Sequence, residues 1–135
     1  MFPISVTIPV QWGDMDALGH VNNTRYIAWF ESARIALFER IGVATGNTHG
    51  VGPILATTTC DYVVPVVWPA TVVVGTRVIK VGETSVTQEY EIRDAAAADK
   101  LYAKGSSVIV MFDYGAGKKV RVPDEVRGAI ERLSS

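Results

Sequence analysis

Ser5 to Trp12 alternates loosely between apolar and polar residues and is rich in β-branched side chains, which predicts a strand. Gly13 to Asn23 is polar, carries Gly13 and Gly19, and reads as a loop. From Thr24 to Ile41 the apolar residues Tyr26, Trp29, Phe30, Ala33, Leu37 and Ile41 recur at intervals of three and four, the period of a helix. Asn22 or Asn23 suits its N-cap, and Gly42 its C-terminal stop. Such a helix is about 27 Å long. Ile27, Ile35, Ala36 and Phe38 widen its apolar stripe, while Arg25, Ser32, Glu39 and Arg40 supply a solvated side. A helix this apolar needs to be largely wrapped.

The remaining chain can wrap it. Ile54–Val64, Thr71–Val81, Ser85–Arg93 and Leu101–Asp113 all read as strands. In Ser85–Arg93, Val86, Gln88, Tyr90 and Ile92 point one way and Ser85, Thr87, Glu89 and Glu91 the other. Gly82-Glu83 predicts a tight hairpin turn, and Pro65–Pro69 and Asp94–Lys100 are connections. Pro123–Leu133 predicts a short terminal helix with Val126, Ile130 and Leu133 on its inner face. One strand, a long helix and four further strands predict an α+β layout, an antiparallel sheet against one helix.

Composition adds limits. The 135 residues, 48% of them hydrophobic, suit one domain spanning 1–135 with a proper core. The charged fraction, 20%, is below the usual quarter and points to extra buried surface, as in a homo-oligomer. A net charge of −1 supplies no global field toward nucleic acid or anionic membrane, so a phosphate-bearing ligand needs a local patch. Cys60 is the only cysteine, which rules out an intrachain disulfide. Met1 to Gln11 lacks the pattern of a signal peptide, and no stretch has the length of a membrane span. The expected setting is cytoplasmic.

The densest polar cluster runs from Gly13 to Asn23, just ahead of the long helix. A helix N-terminus offers unpaired N–H groups and partial positive charge, which can hold an oxyanion. A carboxylate just upstream can activate water or attack directly. Asp14 and Asp16 have equal claims by position, and both are also ordinary turn-forming and capping residues. His20 has the chemistry of a general base or of a structural hydrogen-bonder. His49, among Gly46, Gly50 and Gly52, reads as a loop residue, and the two histidines with Cys60 form no metal-ligand spacing. Glu31 lies near the apolar side of the helix, as a paired interior acid, an interface group or a solvated one. Thr57, Thr58 and Thr59 can meet a ligand or simply favour a strand. Lys80, Lys118, Lys119 and Arg121 are candidates for phosphates if they cluster near a site entrance. No nucleophile elbow, phosphate loop or dinucleotide fingerprint is present.

The run Asp14-Met15-Asp16-Ala17-Leu18-Gly19-His20-Val21-Asn22-Asn23, with Tyr26 and Phe30-Glu31-Ser32-Ala33-Arg34, resembles the signature of hotdog-fold thioesterases of the 4-hydroxybenzoyl-CoA thioesterase-like group. Gly82-Glu83-Thr84-Ser85 and Val122-Pro123-Asp124-Glu125-Val126-Arg127 match more weakly. The resemblance implies a long helix wrapped by a curved antiparallel five-stranded sheet, and a homodimer or homotetramer with sites between subunits. It singles out Asp16 as the catalytic carboxylate and the Asn23 backbone N–H as the oxyanion donor. It implies an acyl-CoA substrate near His20, Asn22, Tyr26, Glu31 and a facing subunit's Thr59. Lys80, Ser85 and Arg121 are then candidate CoA contacts. The His20-Val21-Asn22-Asn23 segment differs from the hydroxybenzoyl-specific enzyme, so an aromatic substrate is not carried over.

The implied reaction is hydrolysis of the thioester to a free acid and CoA, with neither metal nor redox cofactor required. Three rivals keep the same fold: a dehydratase using His20, a non-catalytic acyl-CoA binding module, and a thioesterase acting on acyl-carrier protein.

Overall fold

The computed structural model describes residues 2–45 and 50–134, so His49 lies outside the described residues. Strand β1 (Ile4–Pro9) leads to a single 3-10 turn (Trp12–Asp14) and then to helix α1 (Asn23–Ile41). Strands β2 (Val51–Tyr62), β3 (Thr71–Val81), β4 (Ser85–Asp94) and β5 (Leu101–Asp113) follow. The two-residue β6 (Lys118–Lys119) and helix α2 (Asp124–Ser134) complete the order. The strands form one antiparallel sheet in the order β1-β3-β4-β5-β2, with β6 beside β5. The five long strands are those predicted; β6 adds a short sixth.

The boundaries differ in instructive ways. β1 ends at Pro9 rather than running to Trp12, because Asp14 draws the chain into the 3-10 turn. Its carboxylate accepts the Gln11 N–H while its own N–H donates to the Gln11 carbonyl. β2 begins at Val51 because pairing with β5 extends to Val51↔Asp113. It ends at Tyr62 because Val63 and Val64 both donate to the Tyr102 carbonyl, so the ladder cannot advance. The β3–β4 connection holds three residues, Gly82-Glu83-Thr84, closed by Gly82 N–H donating to the Ser85 carbonyl at 2.8 Å.

Helix α1 lies across the concave face of the sheet and divides the core in two. Around its first half, Tyr26, Trp29, Phe30 and Ala33 pack with Val66, Val72, Val74, Tyr90, Ile92 and Ala103. Around its second half, Leu37, Phe38 and Ile41 pack with Val86, Ile109, Met111 and, from α2, Val126 and Ile130. The alternation read in β4 holds: Val86, Gln88, Tyr90 and Ile92 are all buried. The buried polar side chains there are bonded to one another, with Gln88 Oε1 alone among their buried atoms left without a partner. The Arg34 guanidinium donates to the Tyr90 hydroxyl, which donates to Ser107 Oγ, and Gln88 donates to Thr76 Oγ1.

Phe30 stacks on Tyr90 with ring centroids 4.4 Å apart. The stacking is possible because Gly105 on β5 has no side chain. A Cβ there would lie 2.6 Å from the Phe30 ring and would also collide with the Thr59 carbonyl. Gly105→Ala is therefore expected to cost about 1–3 kcal/mol of unfolding free energy, from overpacking. Urea unfolding of the two proteins side by side measures it, and equal midpoints would refute this account of the seating of α1.

Candidate active site

The loop ahead of α1 is a closed knot. Met15 and Val21 form an isolated β-bridge. Within it the Asp16 N–H donates to the His20 carbonyl, and the Gly19 N–H donates to the Asp16 carbonyl. Gly19 sits at φ 86°, a left-handed conformation that only glycine adopts without strain. Asn22 caps α1: its side-chain oxygen accepts from the Thr24 N–H at 2.9 Å and the Thr24 hydroxyl at 2.7 Å. Asn23 is then the first helical residue, and its N–H has no acceptor among the described residues.

The two acids of this loop have different surroundings. Asp14 is committed on both oxygens, one to the Gln11 N–H and the other 3.3 Å from the Arg25 guanidinium. Asp16 spends one oxygen on the Leu18 N–H at 2.8 Å, and the other lies 3.5 Å from His20 Nδ1. Asp16 lines a cleft of about 450 Å³ together with Leu18, His20, Asn23, Tyr26, Tyr62 and the segment Val63–Pro65.

The segment after β2 forms the far wall of this cleft and is held as a strap across the start of α1. The Val66 carbonyl accepts from the Val21 N–H at 2.8 Å. The Val66 N–H donates to the Tyr26 hydroxyl at 3.0 Å. The Trp68 N–H approaches the Met15 sulfur at 3.4 Å. Tyr62 closes the corner, its hydroxyl donating to the Asn23 carbonyl at 2.9 Å and its ring set edge-on to Tyr26. Burial pushes the phenol pKa values of both tyrosines up, so both stay neutral.

The site residues expected from the sequence separate into three groups. Asp16, His20, Asn23 and Tyr26 converge on the cleft. Asn22 borders it, with its side chain occupied as the helix cap. Glu31 and Thr59 lie elsewhere in the chain. Glu31 is exposed on α1 and 3.7 Å from the Arg34 guanidinium. Thr59 pairs with Ser106 Oγ on the face of the sheet away from α1. Lys80, Ser85 and Arg121 gather around the β3–β4 connection, near the C-terminal end of α1, and none lines the cleft. Arg121 is ion-paired with Asp124, which holds the guanidinium pKa up. Among the described residues no group of histidine, cysteine, aspartate or glutamate side chains could hold a metal ion.

Sequence reasoning missed Leu18, Tyr62 and the strap. Their signal was the run Val63-Val64-Pro65-Val66-Val67-Trp68, too apolar for an ordinary solvated connection. Only the folded chain shows what it covers.

The wrapped helix, its capped N-terminus and the acid beside it define a class of protein. A profile of the thioesterase-like superfamily matches residues 10–130, and the chain belongs to that superfamily, with the hotdog arrangement of its fold. Among solved structures, PA2801 from Pseudomonas aeruginosa, a candidate thioesterase, superposes with a TM-score of 0.88 at 35% identity, covering 96% of this chain and 99% of that one. A thioesterase from Thermus thermophilus, complexed with coenzyme A and Zn, superposes with a TM-score of 0.83 at 30% identity, covering 98% of this chain and 94% of that one. A Bacillus subtilis relative, the uncharacterized protein YsmA, is 25% identical over 118 residues, 87% of this chain and 78% of its own length.

The division of labour between the two acids has a direct consequence. Asp14→Ala removes two charge-assisted contacts and is expected to lower stability by about 1–2 kcal/mol. Asp16→Ala removes one local turn bond and should cost less. Chemical denaturation of both variants checks the order, and a reversed order would contradict the structural role given to Asp14.

Proposed function

We propose that this protein hydrolyses acyl-CoA thioesters to a free carboxylic acid and CoA at the Asp16 cleft, with residues 1–135 working as one domain. The observation that carries the reading is that two residues lining one cleft carry unlike groups. They are an Asp16 carboxylate oxygen not used by the loop backbone, and an Asn23 N–H without an acceptor among the described residues. A thioester carbonyl aimed at Asn23 gains its negative charge at the positive end of α1, where it is stabilised most.

Asp16 then acts in one of two ways. As a general base it takes a proton from water while the water oxygen bonds to the carbonyl carbon. The tetrahedral oxyanion rests on the Asn23 N–H. The carbon–sulfur bond breaks as the anion collapses, and the thiolate leaves and regains a proton from Asp16. As a nucleophile Asp16 bonds to that carbon and expels the thiolate, and water cleaves the resulting anhydride. His20, 3.5 Å from Asp16, helps orient the carboxylate in either route. Replacing Asp16 by Asn should lower kcat about 10²–10⁴-fold across a panel of acyl-CoAs followed by thiol release. Wild-type turnover in that variant would remove Asp16 as the catalyst. CoA esters bound without turnover by the wild-type protein would favour a binding module, and turnover only with carrier-protein thioesters the carrier-specific reading.

We further propose that the working form is a homodimer or homotetramer. β2 stands at the end of the sheet, with no strand among the described residues on its outer edge. Val51 and Leu55 are exposed along it. A long free edge with apolar side chains is a template for strand pairing. Thr59, Lys80, Ser85 and Arg121 would then meet the same ligand from a second copy or at the far end of an extended CoA. The single free cysteine suits a reducing, cytoplasmic setting. No helix among the described residues is long and apolar enough to cross a membrane. Sedimentation equilibrium should return two or four times the 14.6 kDa chain mass, and a monomer at micromolar concentration would overturn the assembly.

A further inference from the structure

We propose that the cleft selects an uncharged, apolar acyl group, and that Leu18, Val63 and Val64 set this preference. The inference rests on the thioesterase reading of the same cleft and adds the chemical class of the acyl chain.

The argument turns on where the polar atoms of the wall are spent. Tyr26 and Tyr62 are the two hydroxyl-bearing side chains of the lining, and each hydroxyl is engaged with the backbone. That of Tyr62 donates to the Asn23 carbonyl at 2.9 Å, and that of Tyr26 accepts the Val66 N–H at 3.0 Å. What they present to the cleft is ring carbon, held edge to face at 4.8 Å. Leu18, Val63, Val64 and Pro65 continue the surface as aliphatic carbon. The residues that remain polar, Asp16, His20 and Asn23 with its side-chain amide, lie at the helix N-terminus, the thioester end.

No lysine or arginine is among the described residues lining the cleft. His20, if protonated, is matched by Asp16 at 3.5 Å. Within this lining a carboxylate on the acyl tail would face the Asp16 charge with no lysine or arginine beside it, and a hydroxyl against Leu18, Val63 or Val64 would lose water without gaining a side-chain partner. The wall is also preformed. The strap is tied at Val66 by two hydrogen bonds, and Leu18 is fixed by its N–H bond to Asp16. Leu18 is nonetheless 80% exposed, at the tip of a rigid turn over the cleft. An acyl chain lying beneath it would take that surface out of water.

A hydrophobic site discriminates against an added hydroxyl by about 10²-fold at most. The experiment compares kcat/KM for hexanoyl-CoA, 6-hydroxyhexanoyl-CoA and adipoyl-CoA. Hexanoyl-CoA should exceed the hydroxylated ester by about 10–100-fold and adipoyl-CoA by at least as much. Leu18→Lys, at an exposed position where folding is not at risk, should shrink the hexanoyl-to-adipoyl ratio about tenfold, and Val64→Arg should shift it the same way. Equal or better use of the hydroxylated or carboxylated ester by the wild type would overturn the proposal, as would an unchanged ratio in both variants. If no CoA is released from any ester, the thioesterase reading fails by itself. Calorimetric binding of the same three esters then decides the cleft's preference by the same ratios.

Discussion

The seating of α1 on β5, where the Phe30 ring occupies the space left by Gly105, is the contact from which the rest of the structure follows. A helix with apolar residues on most of its circumference can be buried only if a sheet curves round it. The sheet can approach closely only where a side chain is missing. Burying one such ring is worth roughly 1.5–3 kcal/mol. The larger consequence is positional. With Phe30 fixed, the N-terminal end of α1 comes to rest where β2 ends and the strap begins, so the first residue of the helix, Asn23, lines a cleft.

In the loop before α1 one short segment combines structural bonds with the residues of the proposed chemistry. Asp14 and Asp16 are two residues apart and chemically identical, yet the fold gives them opposite tasks. Asp14 is saturated by Gln11 and Arg25 and holds the 3-10 turn. Asp16 stabilises its own turn with one oxygen, has the other beside His20, and lines the cleft. The turn bond to Leu18 restricts the carboxylate's rotation. A turn-forming role for Asp16 and the catalytic one proposed for it are therefore compatible.

The cleft is built from segments far apart in the chain. Its acid and helix end come from residues near 20, its wall from Tyr62 to Pro65. The bonds that join them run from Val66 to Val21 and Tyr26, and from Tyr62 to Asn23. These ties also decide the polarity of the wall. By engaging the tyrosine hydroxyls with the backbone they leave an apolar surface where the sequence alone suggests polar aromatic residues.

Local order was legible in the sequence because it depends on period and on capping chemistry. The three-and-four spacing from Tyr26 to Ile41, the alternation from Val86 to Ile92, and the Asn22 and Gly42 stops all correspond to observed elements within a residue or two. The loop motif also pointed to Asp16, His20 and Asn23, which lie close along the chain and so cannot be far apart in space. Tertiary structure decided what depends on contacts between distant segments. It brought Tyr62 and the strap to the helix N-terminus, turned Thr59 to the outer face of the sheet, and left Lys80, Ser85 and Arg121 at the other end of a helix about 27 Å long. Residue type and spacing report which groups can do chemistry. Which of them share a cleft is set by how the sheet closes on the helix, and that is written in packing between residues dozens of positions apart.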